Sequence, residues 1–556
     1  MRLPRRRFPA ARTTCASRFL VSSALALLAA SVASGQIRFR DVASDAGLDF
    51  VLESGPTPRK PMIEAVAGGV AAFDADGDGL IDIYFANGAD AGSLRKRSSS
   101  HWNRLYRNLG GLRFSDVTEA ANVAGHGYSM GVAAADYDND GDVDLFVAGY
   151  RANILYRNNG RGEFSDVTSE AGIVSSGWSV AAGWFDYDRD GALDLLVINY
   201  LDWDPADDRF CGDRGEGLRI YCSPTYWPGL PNTLYRNRGD GTFEDVSEPS
   251  GMSRHVGKGM SVAFGDFDLD GWVDAFVAND TEPDFLFRNL GNGTFEETGL
   301  LTGVALASDG APISSMGVDF QDYDNDGFPD IHVTALNRQT FPLFRNAGDG
   351  LFEDTTARSG LHRLTVSKSG WATKFEDFDN DGRKDLFVTT SHVNDLAREF
   401  ENASYRQSNA VFGNTGRGTF EDVSEAAAIF MPAAHRGAAF ADFDRDGLVD
   451  AVVSVIGGPA ELWQNVSPAG NRWLGIRLIG TTSNSDGIGA RVHVGSQVLT
   501  VSSSSGYASS SLAPAHFGLG PEPDLQYVRI AWPGGAQQTA ALDGLDRVMT
   551  ITEELP

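Results

Sequence analysis

Residues 135 to 146 read ADYDNDGDVDLF, placing aspartates at 136, 138, 140 and 144 and a glycine at 141. Two carboxylates about 4 Å apart repel by roughly 1 kcal/mol in bulk water and roughly 4 kcal/mol at an effective dielectric of about 20. A chain that gathers four of them in nine residues implies a cation between them. Aspartates at loop positions 1, 3, 5 and 9, with a backbone carbonyl at 7, can surround one hard ion with oxygen, and the glycine at 6 permits the sharp turn. Oxygen-only ligation by several carboxylates selects calcium over zinc or copper, and flexible coordination disfavours magnesium. The loop is not an EF-hand, because its last acid stands at position 9 instead of 12. Its flanks also read as strands, not helices.

The loop occurs seven times. The first copy carries Asp74, Asp76, Asp78 and Asp82, the second Asp136, Asp138, Asp140 and Asp144, and the third Asp186, Asp188, Asp190 and Asp194. The fourth has Asp266, Asp268, Asp270 and Asp274, and the fifth Asp322, Asp324, Asp326 and Asp330. The sixth has Asp377, Asp379, Asp381 and Asp385, and the seventh Asp442, Asp444, Asp446 and Asp450. Up to seven calcium ions are expected. In the sixth loop Arg383 and Lys384 supply positive charge of their own, so that copy also reads as a plain Asp-rich turn.

What must position these loops is equally repetitive. A short strand of small apolar residues (GVAAAD, SVAFGD) leads into each loop, and a β-rich run (DLFVAGY, DAFVAND) leaves it. LYRN or a variant follows, then a Gly-rich turn and a segment of the form Phe-x-Asp/Glu. Alternation bounded by Gly and Asn marks four strands per unit, and repeats of 50 to 80 residues point to propeller blades. The fold class is therefore all-β, a seven-bladed β-propeller. Phe-x-Asp/Glu segments follow six of the loops, and the seventh stands at IRFRDV, residues 37–42. The N-terminal strand is thus expected to complete the last blade, which removes exposed sheet edges. Beyond residue 466 the acidic loops stop while strand-like alternation continues, so 36–466 reads as the propeller and 467–556 as a small β-sandwich-like domain.

Residues 1–35 have a basic start, an apolar stretch from Phe19 to Ala33 and small residues after it, the pattern of a secretory signal peptide. The protein is expected to be secreted, periplasmic or on the cell surface, with no transmembrane segment after the signal is removed. Cys211 and Cys222 then form an even pair in an exported chain, and a disulfide is expected. The formal net charge of −29 excludes nucleic acid as an electrostatic partner.

The units resemble FG-GAP/VCBS repeats, the blades of integrin-α-like propellers. RWLGIRLIGTTSNSDGIGARV, SGYASS, HFGLG and VRIAWPGG resemble the ASPIC/UnbV domain, and the combination resembles the cartilage acidic protein family. That resemblance implies an extracellular, calcium-binding role in recognition or adhesion and no agreed reaction.

Hairpin logic puts all acidic loops on one face and gathers other side chains on the opposite one. Among these, His126, His255, Lys258, Asp280, His392 and Trp227 are the candidate ligand contacts. The insertion 203–231 is expected to cap that face, and its Trp203, Tyr221, Tyr226 and Trp227 suit stacking on a sugar or peptide. The expected function is recognition of an extracellular protein or glycan, with calcium structural. The alternative is a carbohydrate-active enzyme, a lyase or hydrolase, using the face opposite the loops. RGD at 238–240 falls in a repeated Gly-rich turn and carries no weight as an integrin ligand.

Overall fold

The computed structural model describes residues 36–555. The proposed signal peptide lies outside the described residues. Six four-stranded antiparallel sheets carry the repeat, and a seventh set of four antiparallel strands, Val70–Phe73 to Phe114–Asp116, lies within a six-stranded sheet. In the second, Ser129–Ala135, Asp144–Gly149, Ile154–Asn158 and Phe164–Asp166 pair in sequence order from the centre outward. The innermost strand, SMGVAAA, is buried at every position, whereas Phe164 is buried and Ser165 and Asp166 are exposed. Burial of both faces inside and one face outside explains why the inner strands lack polar alternation and the outer ones keep it.

Each inner strand touches the inner strand of the next sheet, and His435–Ala441 of the seventh touches Val70–Phe73 of the first. The last sheet takes its outer strand from the start of the chain: Phe39–Asp41 pairs antiparallel with Glu461–Asn465, Phe39 opposite Asn465.

Two repeated contacts lock blades to the ones before them, both using position 2 of the preceding acidic loop, although the first loop has Ala75 there and offers no ring. The outer-strand phenylalanine packs on that residue's ring: Phe243 on Tyr137 at 5.6 Å, Phe295 on Tyr187 at 5.9 Å, Phe420 on Tyr323 at 5.8 Å, Phe114 on Phe443 at 6.0 Å. The N-terminal Phe39 does the same with Phe378 at 5.4 Å. The asparagine that ends each third strand donates its Nδ2 to the backbone carbonyl of the same residue. Asn237 reaches Tyr137 and Asn289 reaches Tyr187, both at 2.8 Å. Asn108 reaches Phe443 at 3.0 Å, tying the first blade to the seventh.

Asn465 is the copy beside the non-covalent closure, bonded to Phe378 O at 2.8 Å and Val449 O at 3.1 Å. Asn465→Ala strands two buried carbonyls and is expected to cost about 2–3 kcal/mol. A denaturant titration in calcium reads this directly, and an unchanged midpoint would refute the clamp.

The C-terminal residues build two further sheets. One is three-stranded (Ala515–Gly520, Arg472–Ile479, Val548–Thr552) and the other four-stranded (Gln497–Thr500, Arg491–Val494, Tyr527–Ala531, Gln537–Ala541). They share a core that includes Leu474, Ile476, Val492, Phe517 and Ile530. One part of this segment is not peripheral. Ser504–Ser505 and Ser509–Ser511 form a hairpin inside the ring, the latter running parallel to Val70–Phe73 with Ala71 opposite Ser510.

That hairpin bonds to inner strands around the channel. Ala508 O accepts from Val132 N at 3.1 Å, Gly506 O from Val318 N at 3.3 Å, and Ser511 Oγ from Phe440 N at 2.9 Å. The fit is close: a Cβ on Gly69 would stand 2.3 Å from Ala508 O, and one on Gly131 3.0 Å from the same oxygen. The serine-rich run SSSSGYASSS is small because the channel admits little else. Its one large residue, Tyr507, is fully buried and donates to Val66 O at 2.6 Å. The described residues accordingly form one compact unit, although the sequence reads as a propeller followed by a separate domain. No helix among them is long and apolar enough to cross a membrane.

Candidate metal loops and the opposite face

Each acidic loop joins the first and second strands of its blade and is organised by its own carboxylates. In the second loop Asp136 accepts from Gly141 N at 2.8 Å and Asp140 N at 3.1 Å, and Asp140 accepts from Asp142 N at 3.0 Å. Asp144 is fixed from both sides, by Asn158 N at 2.7 Å and Tyr137 N at 3.3 Å. Carboxylate oxygens of Asp136, Asp138 and Asp144 lie within 4.8 Å of one another, and the first, third, fourth and fifth loops hold similar groups.

Whether these residues fit a cation can be judged from what their oxygens lack. Every loop contains a buried carboxylate oxygen with no hydrogen-bond partner. It is Oδ1 of the position-3 aspartate in Asp76, Asp138, Asp188, Asp324, Asp379 and Asp444, and Oδ1 of Asp266 in the fourth loop. Orphaned buried oxygens are costly and rare, and a sevenfold repeat of them matches a ligand atom that a hard cation would satisfy. The other oxygen of position 3 faces the third strand, where the arginine of the LYRN segment holds it: Arg236 with Asp188 at 2.8 Å, Arg288 with Asp268 at 2.6 Å, Arg345 with Asp324 at 2.7 Å. That division leaves one oxygen for the protein and one for the loop interior.

The electrostatics agree. Burial, reinforced by Asp138 and Asp136, pushes the Asp144 carboxyl up to about 9, and burial with Asp140 pushes Asp138 to about 6. Without a cation, these groups hold protons far above the ordinary carboxylate range.

The sixth loop differs as the sequence suggests, but not in the way its charges suggest. Gly413 stands where the first five blades have the LYRN arginine and the seventh has Gln464, and Arg383 pairs with Asp381 from within the loop. Lys384 turns away from its own loop and donates to Asp322 O of the neighbouring one at 2.8 Å. Asp379 Oδ1 remains without a partner, so neither cation fills that site.

The C-terminal domain sits against this same face. Asp486 accepts from Asp136 N at 2.8 Å, Arg491 donates to Gly327 O at 2.8 Å, and Asn471 donates to Asp379 O at 2.8 Å.

On the opposite face the six candidate contacts do not assemble into one open site. His126 is exposed, and His255 is half-buried, edge-on to Phe285 and Phe287 at 5.9 and 5.6 Å. Lys258 is buried in an ion pair with Glu282 at 2.8 Å. Asp280 is buried and accepts from Tyr200 Oη at 2.7 Å. His392 is buried, its Nδ1 receiving Asn394 N at 3.0 Å. Trp227 is buried and donates to Asp207 at 2.9 Å.

The insertion aromatics also turn inward, contrary to their expected stacking role. Trp203 and Trp227 are buried, and Tyr221 bonds Glu64 at 3.3 Å, which leaves Tyr226 at 52% exposure. The insertion does carry a Cys211–Cys222 disulfide, with Cα atoms 5.3 Å apart, and it reaches over the face through Arg59–Asp208 at 3.1 Å and Tyr221 N to Asn394 at 2.8 Å. Inward packing follows from this: a cap must bury its own aromatic surface to be held down.

Beneath the cap lies a cluster that spacing alone does not reveal, because its members are hundreds of residues apart. Glu64 accepts from Thr57 Oγ1 at 2.7 Å, and burial pushes its carboxyl up to about 7. Arg436, fully buried, stacks on Trp371 at 3.9 Å and donates to Ala65 O at 2.9 Å, while its Nη2 has no partner. The asparagine and phenylalanine clamps were within reach of the sequence, since LYRN and Phe-x-Asp recur in register with the loops.

FG-GAP-like repeats match residues 74–147, 136–197, 204–277, 266–333 and 322–388, and the ASPIC and UnbV family matches 480–555. Cartilage acidic protein 1 of Mus musculus is 26% identical over 510 residues, covering 87% of this chain and 64% of that protein. The Homo sapiens protein of that name is 26% identical over 321 residues, 55% of this chain and 45% of its own length. The chain thus spans less than two thirds of these relatives. Among solved structures, the BP39L lectin from Burkholderia pseudomallei aligns over 73% of this chain and 99% of its own, at 11% identity and a TM-score of 0.40. With the repeat matched over more than half of its length, the chain belongs to the FG-GAP-like repeat family and carries an ASPIC and UnbV domain after its propeller.

Proposed function

We propose that the protein is an exported, calcium-stabilised recognition or adhesion protein that binds an extracellular protein or glycan. The observation that carries the calcium part is the buried, unpartnered carboxylate oxygen present in every one of the seven loops. The ions' contribution is structural, since a metal that binds only the folded loop adds its binding energy to folding. The likeness to cartilage acidic protein 1 and the Cys211–Cys222 disulfide, a feature of oxidising compartments, support an extracellular setting. The ligand-facing part is the outward surface of the cap and its neighbours. Tyr226 and Val256 are each 52% exposed there, and Val256 is paired with Pro231 at the end of the insertion.

One observation favours a second reading, catalysis on a polysaccharide: Glu64, with a proton held near neutrality beside Tyr221. Glu64 is only 1% exposed, so the segment over it would have to move before substrate could reach it.

Glycan and extracellular-peptide arrays, probed with calcium-loaded protein, separate the two. Recognition predicts saturable binding that Tyr226→Ala and Val256→Asp weaken, with no change in the bound molecule. Turnover of a hit, abolished by Glu64→Gln in a variant of unchanged melting temperature, would establish the enzyme instead.

A further inference from the structure

The C-terminal domain does not seat flush on the loop face. Between it and the loop ends of the first, fifth, sixth and seventh blades lies a cavity of about 480 Å³, within the size range of small-ligand sites. A second cavity of about 340 Å³ adjoins it, and the two share Arg477, Val501 and residues 513–515.

The chemistry of the larger cavity is the reverse of the chain's. The protein carries a net charge of −29, yet Lys374, Lys384, Arg445, Arg477 and Arg547 line this space against Glu376, Asp442 and Asp546. Two of those acids are already engaged. Asp546 holds Arg472 at 2.6 Å, and Asp442 accepts from Gly447 N at 2.8 Å within its own loop.

Three cations are engaged as well: Lys374 lies 3.5 Å from Asp319, Arg547 lies 3.4 Å from Asp543, and Lys384 donates to Asp322 O. Arg445, exposed at the rim of the cavity, donates only to a carbonyl, Gly79 O. Arg477, half-buried between the two cavities, feels the charges of Asp74 and Asp486 but makes no hydrogen bond or ion pair among the described residues. Phe375, Phe440, Trp473, Val501 and Pro514 give the wall apolar surface, beside the hydroxyls of Thr500, Ser511 and Thr550.

A half-buried guanidinium such as Arg477, with no protein acceptor, is matched by a planar, bidentate carboxylate. The apolar part of the wall matches an apolar body, and with three of the five cations already engaged few groups are left to solvate a multiply charged anion. We propose that this interdomain cavity binds a small organic monocarboxylate with an aromatic or aliphatic body. Arg477, with Arg445, holds the carboxylate, and Phe375 and Phe440 receive the body. The site exists only when the C-terminal domain is docked on the propeller, because Arg477 and Trp473 come from one and Arg445, Phe375 and Phe440 from the other.

The test uses the full-length, calcium-loaded protein and isothermal titration with monocarboxylates from benzoate and 4-hydroxyphenylacetate to octanoate. The corresponding primary amides serve as neutral controls. At least one acid is expected to bind saturably, at about 1 mM or tighter, and its amide at least about tenfold more weakly, the loss expected for a charge-assisted bond. Arg477→Ala should weaken the acid by a similar factor with melting temperature and bound calcium unchanged. Should that variant lose stability, Arg477→Gln, which keeps length and polarity, should show the same loss. Absence of saturable binding by any acid, equal binding of acid and amide, or the parent's affinity retained in both Arg477 variants would each overturn the proposal.

Discussion

Chelation of calcium is expected to lower the melting temperature of this protein by more than about 10 °C, or to unfold it at room temperature. The magnitude follows from multiplicity. A site held at one hundred times its dissociation constant adds about 2.7 kcal/mol. Three or four such sites already match the roughly 5–15 kcal/mol that separates a typical folded domain from its unfolded chain. Seven loops offer the same orphaned oxygen, so removal of the ions returns each loop to mutually repelling, buried carboxylates. Circular dichroism melts in calcium and in chelator measure the shift, and elemental analysis counts the ions. Replacing Asp138 with Asn should remove one ion and a fraction of the stability, since the orphaned oxygen of the second loop is its Oδ1. A melting temperature indifferent to chelator, with no bound calcium, would sink the metal reading altogether.

The second large effect concerns the hairpin inside the ring. Tyr507→Ala is expected to cost about 3–5 kcal/mol, the range for emptying a buried aromatic site. Tyr507 is fully buried, meets Trp371 edge-on at 4.9 Å and donates to Val66 O. Tyr507→Phe keeps the ring and removes only the hydroxyl, so it should cost about 1 kcal/mol plus whatever the stranded Val66 carbonyl adds. Denaturant titrations of the two variants in saturating calcium provide the comparison. If Tyr507→Ala were as stable as the parent, the hairpin would be a passenger in the channel and not part of its wall. The same geometry makes the C-terminal segment a structural component of the propeller, because Ser509–Ser511 pairs directly with the first inner strand.

The acidic loops, the four-strand order and the N-terminal strand in the last blade were legible in the sequence for one physical reason. Each is local, repeated and encoded by side chains that have no other reason to recur at that spacing. Asp at 1, 3, 5 and 9 with Gly at 6 is a ligand set and a turn in nine residues, and Phe39 takes the place of the missing seventh Phe-x-Asp/Glu. The Cys211–Cys222 bridge was legible for a similar reason, being the one pairing open to the two cysteines that lie beyond residue 35.

The opposite face was not legible, and the error has a direction. Hairpin logic assigns loops to faces correctly but says nothing about whether their side chains point outward. Lys258, Asp280, His392 and Trp227 are all buried, because polar residues on closely packed loops satisfy one another and the insertion's aromatics pack to hold the cap in place. Nor does any local pattern bring Glu64 beside Tyr221, or set Arg477 across a cavity from Phe440. Sequence by itself determined the propeller and its acidic loops, since those depend on the spacing of neighbours along the chain. Tertiary structure decided that the C-terminal hairpin fills the channel, that the presumed ligand face is capped, and that an arginine-bearing cavity opens between the domains. Those depend on which distant surfaces are complementary in shape, and spacing along one chain does not encode that.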